Sequence, residues 1–193
     1  VVIQIKHVFV GVLIILALFA LGNCRNNTEG SSTLDALSKS ETNAEVNHNG
    51  GPLSFYLTKA YISNDDLVES GIDCARLSDQ PLIAAAEIES YRWQTHQMNV
   101  NEVAFERLVE LEVPVSGLPF VVCLGRTPVY SGAFWTMLSS TSFSGIVIKT
   151  PFTTQGLVKL ELGYPDSEAF EGFDPRYNPF IREYLSQINK IQY

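Results

Sequence analysis

From Val8 to Leu21 the chain runs for 14 residues without a polar side chain, after Lys6 and His7. As a helix this run would be roughly 21 Å long at 1.5 Å per residue. A bilayer core is about 30 Å thick, so the run is too short for a comfortable permanent span. A weak positive start followed by a short apolar core is the pattern of a signal peptide. Residues 1–23 are therefore read as an export signal, and the folded part of the chain is sought after it.

The four residues that end the run, Leu21-Gly22-Asn23-Cys24, resemble the bacterial lipobox. That resemblance implies lipid on the Cys24 thiol, cleavage before Cys24, and attachment to a membrane of the bacterial envelope. Two or three acyl chains, at about 0.8 kcal/mol per buried methylene, anchor stably where one is marginal. Arg25 to Pro52 is rich in Asn, Ser, Thr and Glu and has no periodic apolar face. It reads as a flexible tether, with a root-mean-square reach of very roughly 30 Å.

Charge narrows the partners. There are 13 Lys and Arg against 21 Asp and Glu, and loss of residues 1–23 removes only Lys6, leaving a net charge of −9. Such a surface repels phosphate backbones and anionic headgroups, which argues against nucleic acid as a partner. The expected partners are the membrane, through lipid on Cys24, and an envelope protein or peptide.

From Leu53 onward the pattern is that of a folded domain, residues 53–193. Leu53 to Tyr61 reads as a strand, and Asn64 to Gly71 as a capped helical turn. Pro81 opens a short helix or turn up to Ser90. Tyr91 to Val100 reads as one strand, with Tyr91, Trp93 and Thr95 on one face and Met98 and Val100 on the other. Asn101 caps a helix with Val103, Ala104, Leu108 and Leu111 at helical spacing. Pro119 to Leu124 reads as a strand buried on both faces, turned at Gly125-Arg126-Thr127 into a return strand from Val129 to Trp135. Strands at Gly145–Thr150 and Leu157–Leu162 follow. Ile181, Tyr184, Leu185 and Ile188 then mark an amphipathic helix within Asn178–Ile191. The expectation is an α+β domain, a mixed or antiparallel sheet with helices packed on one side.

Residues carrying chemistry are few. His7 lies in the signal and His48 in the tether, so a general base would have to be His96, which reads as a half-exposed strand histidine. No spacing supplies three or four metal ligands, and no cofactor is expected. Ser139 to Gly145 is rich in hydroxyls but fails the G-x-S-x-G template, and such stretches usually satisfy turn backbone. Glu87 with Glu89, or Glu106, Glu110 and Glu112, are weak candidates for paired carboxylates. With Cys24 assigned to lipid, Cys74 and Cys123 form a candidate disulfide, although Cys123 in an apolar strand fits a buried thiol as well. Trp93, Tyr130, Phe134 and Trp135 are the candidate partner-binding aromatics, Trp135 first among them if exposed; filling the core is the competing use.

Several segments together resemble the head subdomain of the first periplasmic domain of SecDF-type export proteins. They are Glu87-Ile88-Glu89-Ser90, the strand at 91–100, Phe105-Glu106-Arg107-Leu108, Gly117-Leu118-Pro119-Phe120-Val121-Val122 and Gly125-Arg126-Thr127-Pro128-Val129-Tyr130. Gly132 to Ser140 and Phe143 to Ile148 are closer still to bacterial lipoproteins sharing that head. The likeness spans about residues 81–152. It implies a SecDF head-like fold and a non-catalytic envelope domain binding a protein or peptide. A small-molecule or glycan-binding lipoprotein is the alternative, and an envelope hydrolase a more distant one.

Overall fold

The structure, a computed structural model, describes residues 51–59 and 76–193. Cys24, the tether, the turn expected at Asn64–Gly71 and Cys74 lie outside the described residues.

Alternation sets the first strand. β1 (Leu53–Leu57) sends Leu53 and Phe55 into the main core, while Tyr56 joins Leu77, Val121 and Cys123 on the opposite face. β1 pairs antiparallel with β4 (Leu118–Leu124), from Leu53 opposite Leu124 to Leu57 opposite Phe120. β4 is apolar throughout because it is buried on both faces, as its sequence predicts. The turn after it needs a left-handed residue, which Gly125 supplies at φ 65°. The chain returns antiparallel as β5 (Thr127–Thr136). β6 (Phe143–Thr150) lies parallel to β5, and β8 (Glu161–Tyr164) closes the other edge antiparallel to β6. The resulting five-stranded order is β1-β4-β5-β6-β8.

The remaining strands form a second sheet, so the single sheet expected from the sequence is corrected to two. β2 (Ile88–Arg92), β3 (Gln97–Val100), β7 (Leu157–Lys159) and β9 (Ile191–Gln192) stand in the order β7-β3-β2-β9. The strand expected at Tyr91–Val100 is a hairpin, β2 and β3 pairing antiparallel around the turn at Trp93–His96. The strand expected at Leu157–Leu162 is divided at Leu160, β7 serving the second sheet and β8 the first.

Among the described residues, two α-helices accompany the sheets. α1 (Glu102–Val109) begins at Asn101, whose side chain accepts the Ala104 amide at 3.0 Å. Ala104 and Leu108 are buried, whereas Val103, assigned to the core face by its spacing, is exposed. α2 (Pro179–Gln187) is capped by Asn178, which accepts from Phe180 and Ile181, and it stops earlier than the apolar spacing suggests. Ile191 has left the helix to pair with Tyr91 as β9. One apolar cluster takes residues from both sheets and both helices, among them Phe55, Met98, Leu108, Phe120, Phe134, Ile146, Ile181 and Leu185. The architecture is α+β, mostly strands.

The serine-rich run has a structural task. Residues 137–142 alone join β5 to β6, although parallel neighbours ordinarily need a dozen or more connecting residues. Backbone groups in this tight connection find partners in hydroxyls. Thr136 Oγ1 accepts the Leu138 amide, Ser139 Oγ accepts the Thr141 amide, and Tyr164 Oη donates to the carbonyls of Met137 and Ser139.

Candidate functional site

The turn between β2 and β3 holds the most unusual polar group of the described chain. His96 adopts φ 49°, a conformation uncommon for a residue with a side chain, and this directs its ring inward. The half-exposed strand histidine expected from the sequence is therefore a buried turn histidine, 2% exposed. Its carbonyl accepts the Leu160 amide at 3.0 Å, which ties the turn to the crossing between β7 and β8.

Three aromatic rings pack around the imidazole. Tyr91, from β2, shares a 2.9 Å hydrogen bond between its hydroxyl and Nδ1. The Trp93 ring lies 6.0 Å away edge-on, and the Tyr177 ring stands perpendicular at only 4.5 Å. Nε2 is buried and has no hydrogen-bond partner. Burial, reinforced by the nearby Arg176 charge, lowers the His96 pKa to about 4. The ring is thus neutral near pH 7. Burial likewise raises the Tyr91 and Tyr130 hydroxyls, so both stay protonated.

Residues 174–177 cross this cluster as a short strap. The segment Pro175–Tyr177 is a single 3-10 turn started by Asp174, whose Oδ1 accepts the Arg176 amide. Arg176 closes a fork on the same carboxylate, Nε to Oδ1 at 2.8 Å and Nη2 to Oδ2 at 2.7 Å, and Nη1 donates to the Leu160 carbonyl. Burial alone would raise the Asp174 carboxyl, but the Arg176 hydrogen bonds and charge outweigh it and hold the pKa below the usual value. Tyr177, the last residue of the strap, is about half exposed.

This geometry brings together only part of what the sequence singled out. Trp93 and His96 meet, and Tyr130 of β5 is close enough to feel the charges of Arg176 and Asp174. Phe134 is elsewhere, in the main core against Phe120. Trp135 faces the other side of its sheet, stacked on Phe143 at 5.0 Å and beside Tyr164. None of these four aromatics exposes as much as a tenth of its surface, so they do not form an open aromatic shelf. They are buried anchors of the β2–β3 turn and of β5. Arg176, Asp174 and Tyr177 were missed by sequence reasoning; the signal available was the Asp-Pro-Arg start of a turn, which does not reveal what the turn covers.

The other candidates are separate from this cluster. Glu87 accepts the Ala84 amide and pairs with Arg107 at 2.6 Å, a bond between the 3-10 turn Ala85–Glu87 and α1. Glu89, Glu106, Glu110 and Glu112 are exposed. Cys123 is a buried free thiol whose pKa burial pushes up to about 12; Cys74 is outside the described residues. Among the described residues no three His, Cys, Asp or Glu side chains gather to hold a metal, and no helix is long and apolar enough to cross a membrane.

No protein-family model, curated protein or solved structure matches the chain.

Proposed function

We propose that this chain is a lipid-anchored domain of the bacterial envelope that binds a protein or peptide partner without catalysing a reaction. The observation that carries the reading is Leu21-Gly22-Asn23-Cys24 at the end of a 14-residue apolar run. A lipid on Cys24 and a tether of about 28 residues would hold the domain near a membrane while leaving it free to turn. The binding part of the reading draws on exposed aromatics rather than on the buried ones chosen from the sequence. Phe173 and Tyr177 are exposed on either side of the Asp174–Arg176 fork, and Phe180 follows in the first turn of α2. Aromatic side chains held on an ordered surface are what protein partners most often use as anchors.

The finer assignment of residues 81–152 to a SecDF head-like fold rests on the motif resemblance. An experimental structure of this region should superpose on a SecDF head with the same strand order; a different order would remove that assignment.

The deciding experiment is intact-mass spectrometry of protein extracted from native membranes, wild type against Cys24→Ala. A mass equal to residues 24–193 plus acyl chains, absent in the variant, supports the anchor. An unlipidated mass or one retaining residues 1–23 overturns it. For the partner, a photo-crosslinking residue at position 173 should trap one reproducible envelope protein, and an empty cross-link from that position would refute this binding surface.

A further inference from the structure

The strap over His96 has a built-in conflict with acid. A second proton would make both imidazole nitrogens donors, yet Nε2 has no acceptor and no solvent. The surrounding rings of Tyr91, Trp93 and Tyr177 offer no negative charge. Among the described residues, the charged groups that face it belong to the strap. Arg176 opposes a cation, and Asp174 would favour one. Both Asp174 oxygens, however, are engaged by Arg176. For Asp174 to turn toward an imidazolium, the fork must open; if it does not turn, the imidazolium is buried beside a guanidinium. Either route loosens the same four residues.

The packing also decides which side yields. Tyr91 and Tyr130 are fixed in ladders, opposite Met98 and Val122 respectively, and His96 is held by the Leu160 amide through its carbonyl. The strap has no ladder. Its hold includes the Asp174 cap, the Arg176 bond to the Leu160 carbonyl and the Tyr177 ring edge-on against His96 and Trp93. Tyr177 is also the one ring touching His96 that already reaches solvent, with nearly half its surface exposed.

We propose that residues 174–177 are an acid-released strap: protonation of His96 displaces Tyr177 and the Asp174–Arg176 fork, opening the Trp93–Tyr91–Tyr130 cluster to solvent while both sheets stay folded. The sign follows from linkage. His96 is held neutral in the closed form, with a pKa of about 4 against an ordinary 6.5. Closure is therefore fully favoured above pH 6.5 and is lost as the pH falls toward 4. Asp174, held below the usual carboxylate value, stays ionised over most of that window, and Tyr91 and Tyr130 stay neutral, so His96 is the group that changes charge. The device works whether or not Cys24 carries lipid.

Hydrogen–deuterium exchange of the full chain in detergent, at pH 7.0 and 4.5 and corrected for intrinsic rates, tests it. Peptides covering 171–177 should lose protection at least about ten-fold at the lower pH, with peptides covering 118–136 unchanged. His96→Asn tolerates the positive φ and has no nitrogen to protonate in that range, so it should abolish the response. Equal protection at both pH values, parallel loss in 118–136, or a response that survives in His96→Asn would overturn the strap. A second readout covers failure of that variant to fold: the NMR titration midpoint of His96 should rise toward 6.5 in Tyr177→Ala. An unchanged midpoint would mean that Tyr177 is not the gate.

Discussion

Among the described residues, two buried side-chain polar atoms without partners, His96 Nε2 and Trp135 Nε1, lie on opposite sides of β5 and differ in what they ask of their surroundings. Trp135 never ionises, so its N–H is a fixed cost. Trp135→Phe keeps a ring to stack on Phe143 and removes an unsatisfied donor, whose burial costs about 1–3 kcal/mol. Its net loss in urea unfolding should be about 1 kcal/mol or less, against about 3–5 for Trp135→Ala. Asp174 is the opposite case. Asp174→Asn leaves the Arg176 guanidinium buried with half its fork gone. Removing one member of a buried pair costs about 3–5 kcal/mol, and since this pair is partly solvated the low end, about 3, is expected at pH 7. Because the Asp174 carboxyl is held low by Arg176, its contribution is present above the ordinary carboxylate pKa and fades as the pH falls through the lowered value. The difference between wild type and Asp174→Asn should therefore shrink in strong acid; a constant difference would mean that the carboxylate charge is not what matters.

At the scale of elements, periodicity and caps carried most of the reading. Asn101 starts its helix where a short polar side chain before apolar spacing said it would, and the last helix lies within the Asn178–Ile191 stretch that its spacing marked. β4, the turn at Gly125 and β5 were legible because an unbroken apolar run meets a glycine. The β2–β3 turn was not. Trp93-Gln94-Thr95-His96 contains no Gly, Asn, Asp or Pro, and alternation continues through it, so one long strand was the natural reading. What overrides it is tertiary: Tyr91, Trp93 and Tyr177 pack around the ring of His96, which stands at a positive φ in the turn. Val103 failed for a simpler reason, since helical spacing identifies a stripe but not its edge. The β5–β6 pair adds a constraint of its own. At Gly132, a Cβ would come within 2.5 Å of the Ile146 carbonyl and 2.6 Å of the Phe120 ring. Gly132→Ala should cost about 1–3 kcal/mol in urea unfolding, the usual range for overpacking. A neutral result would show that β5 and β6 can separate locally.

For the whole molecule, the sequence located most of the strand-forming segments but neither divided them correctly nor assigned them to sheets. Leu160 illustrates why: one residue carries the chain from β7 in one sheet to β8 in the other, and nothing in Leu157–Leu162 marks the crossing. The candidate site inherits that difficulty, because it joins residues near 91, 130, 160 and 176 that share no local pattern. Location, by contrast, turns on the net charge of the polypeptide and on the lipid proposed for Cys24. Without residues 1–23 the net charge would be −9, so the polypeptide itself should be repelled by anionic headgroups. Acyl chains bind by buried methylenes and are indifferent to salt. Vesicles of phosphatidylglycerol therefore separate the two contributions. Protein extracted from membranes with its lipid should stay on the vesicles at both 50 mM and 500 mM salt, whereas residues 25–193 produced without a leader should remain in solution at both. Binding of the lipid-free chain that salt reverses would reveal a basic surface hidden by the net charge. Binding that salt does not reverse would place the membrane contact on exposed apolar residues such as Leu138 and Phe173, and the lipid would no longer be the whole of the anchor.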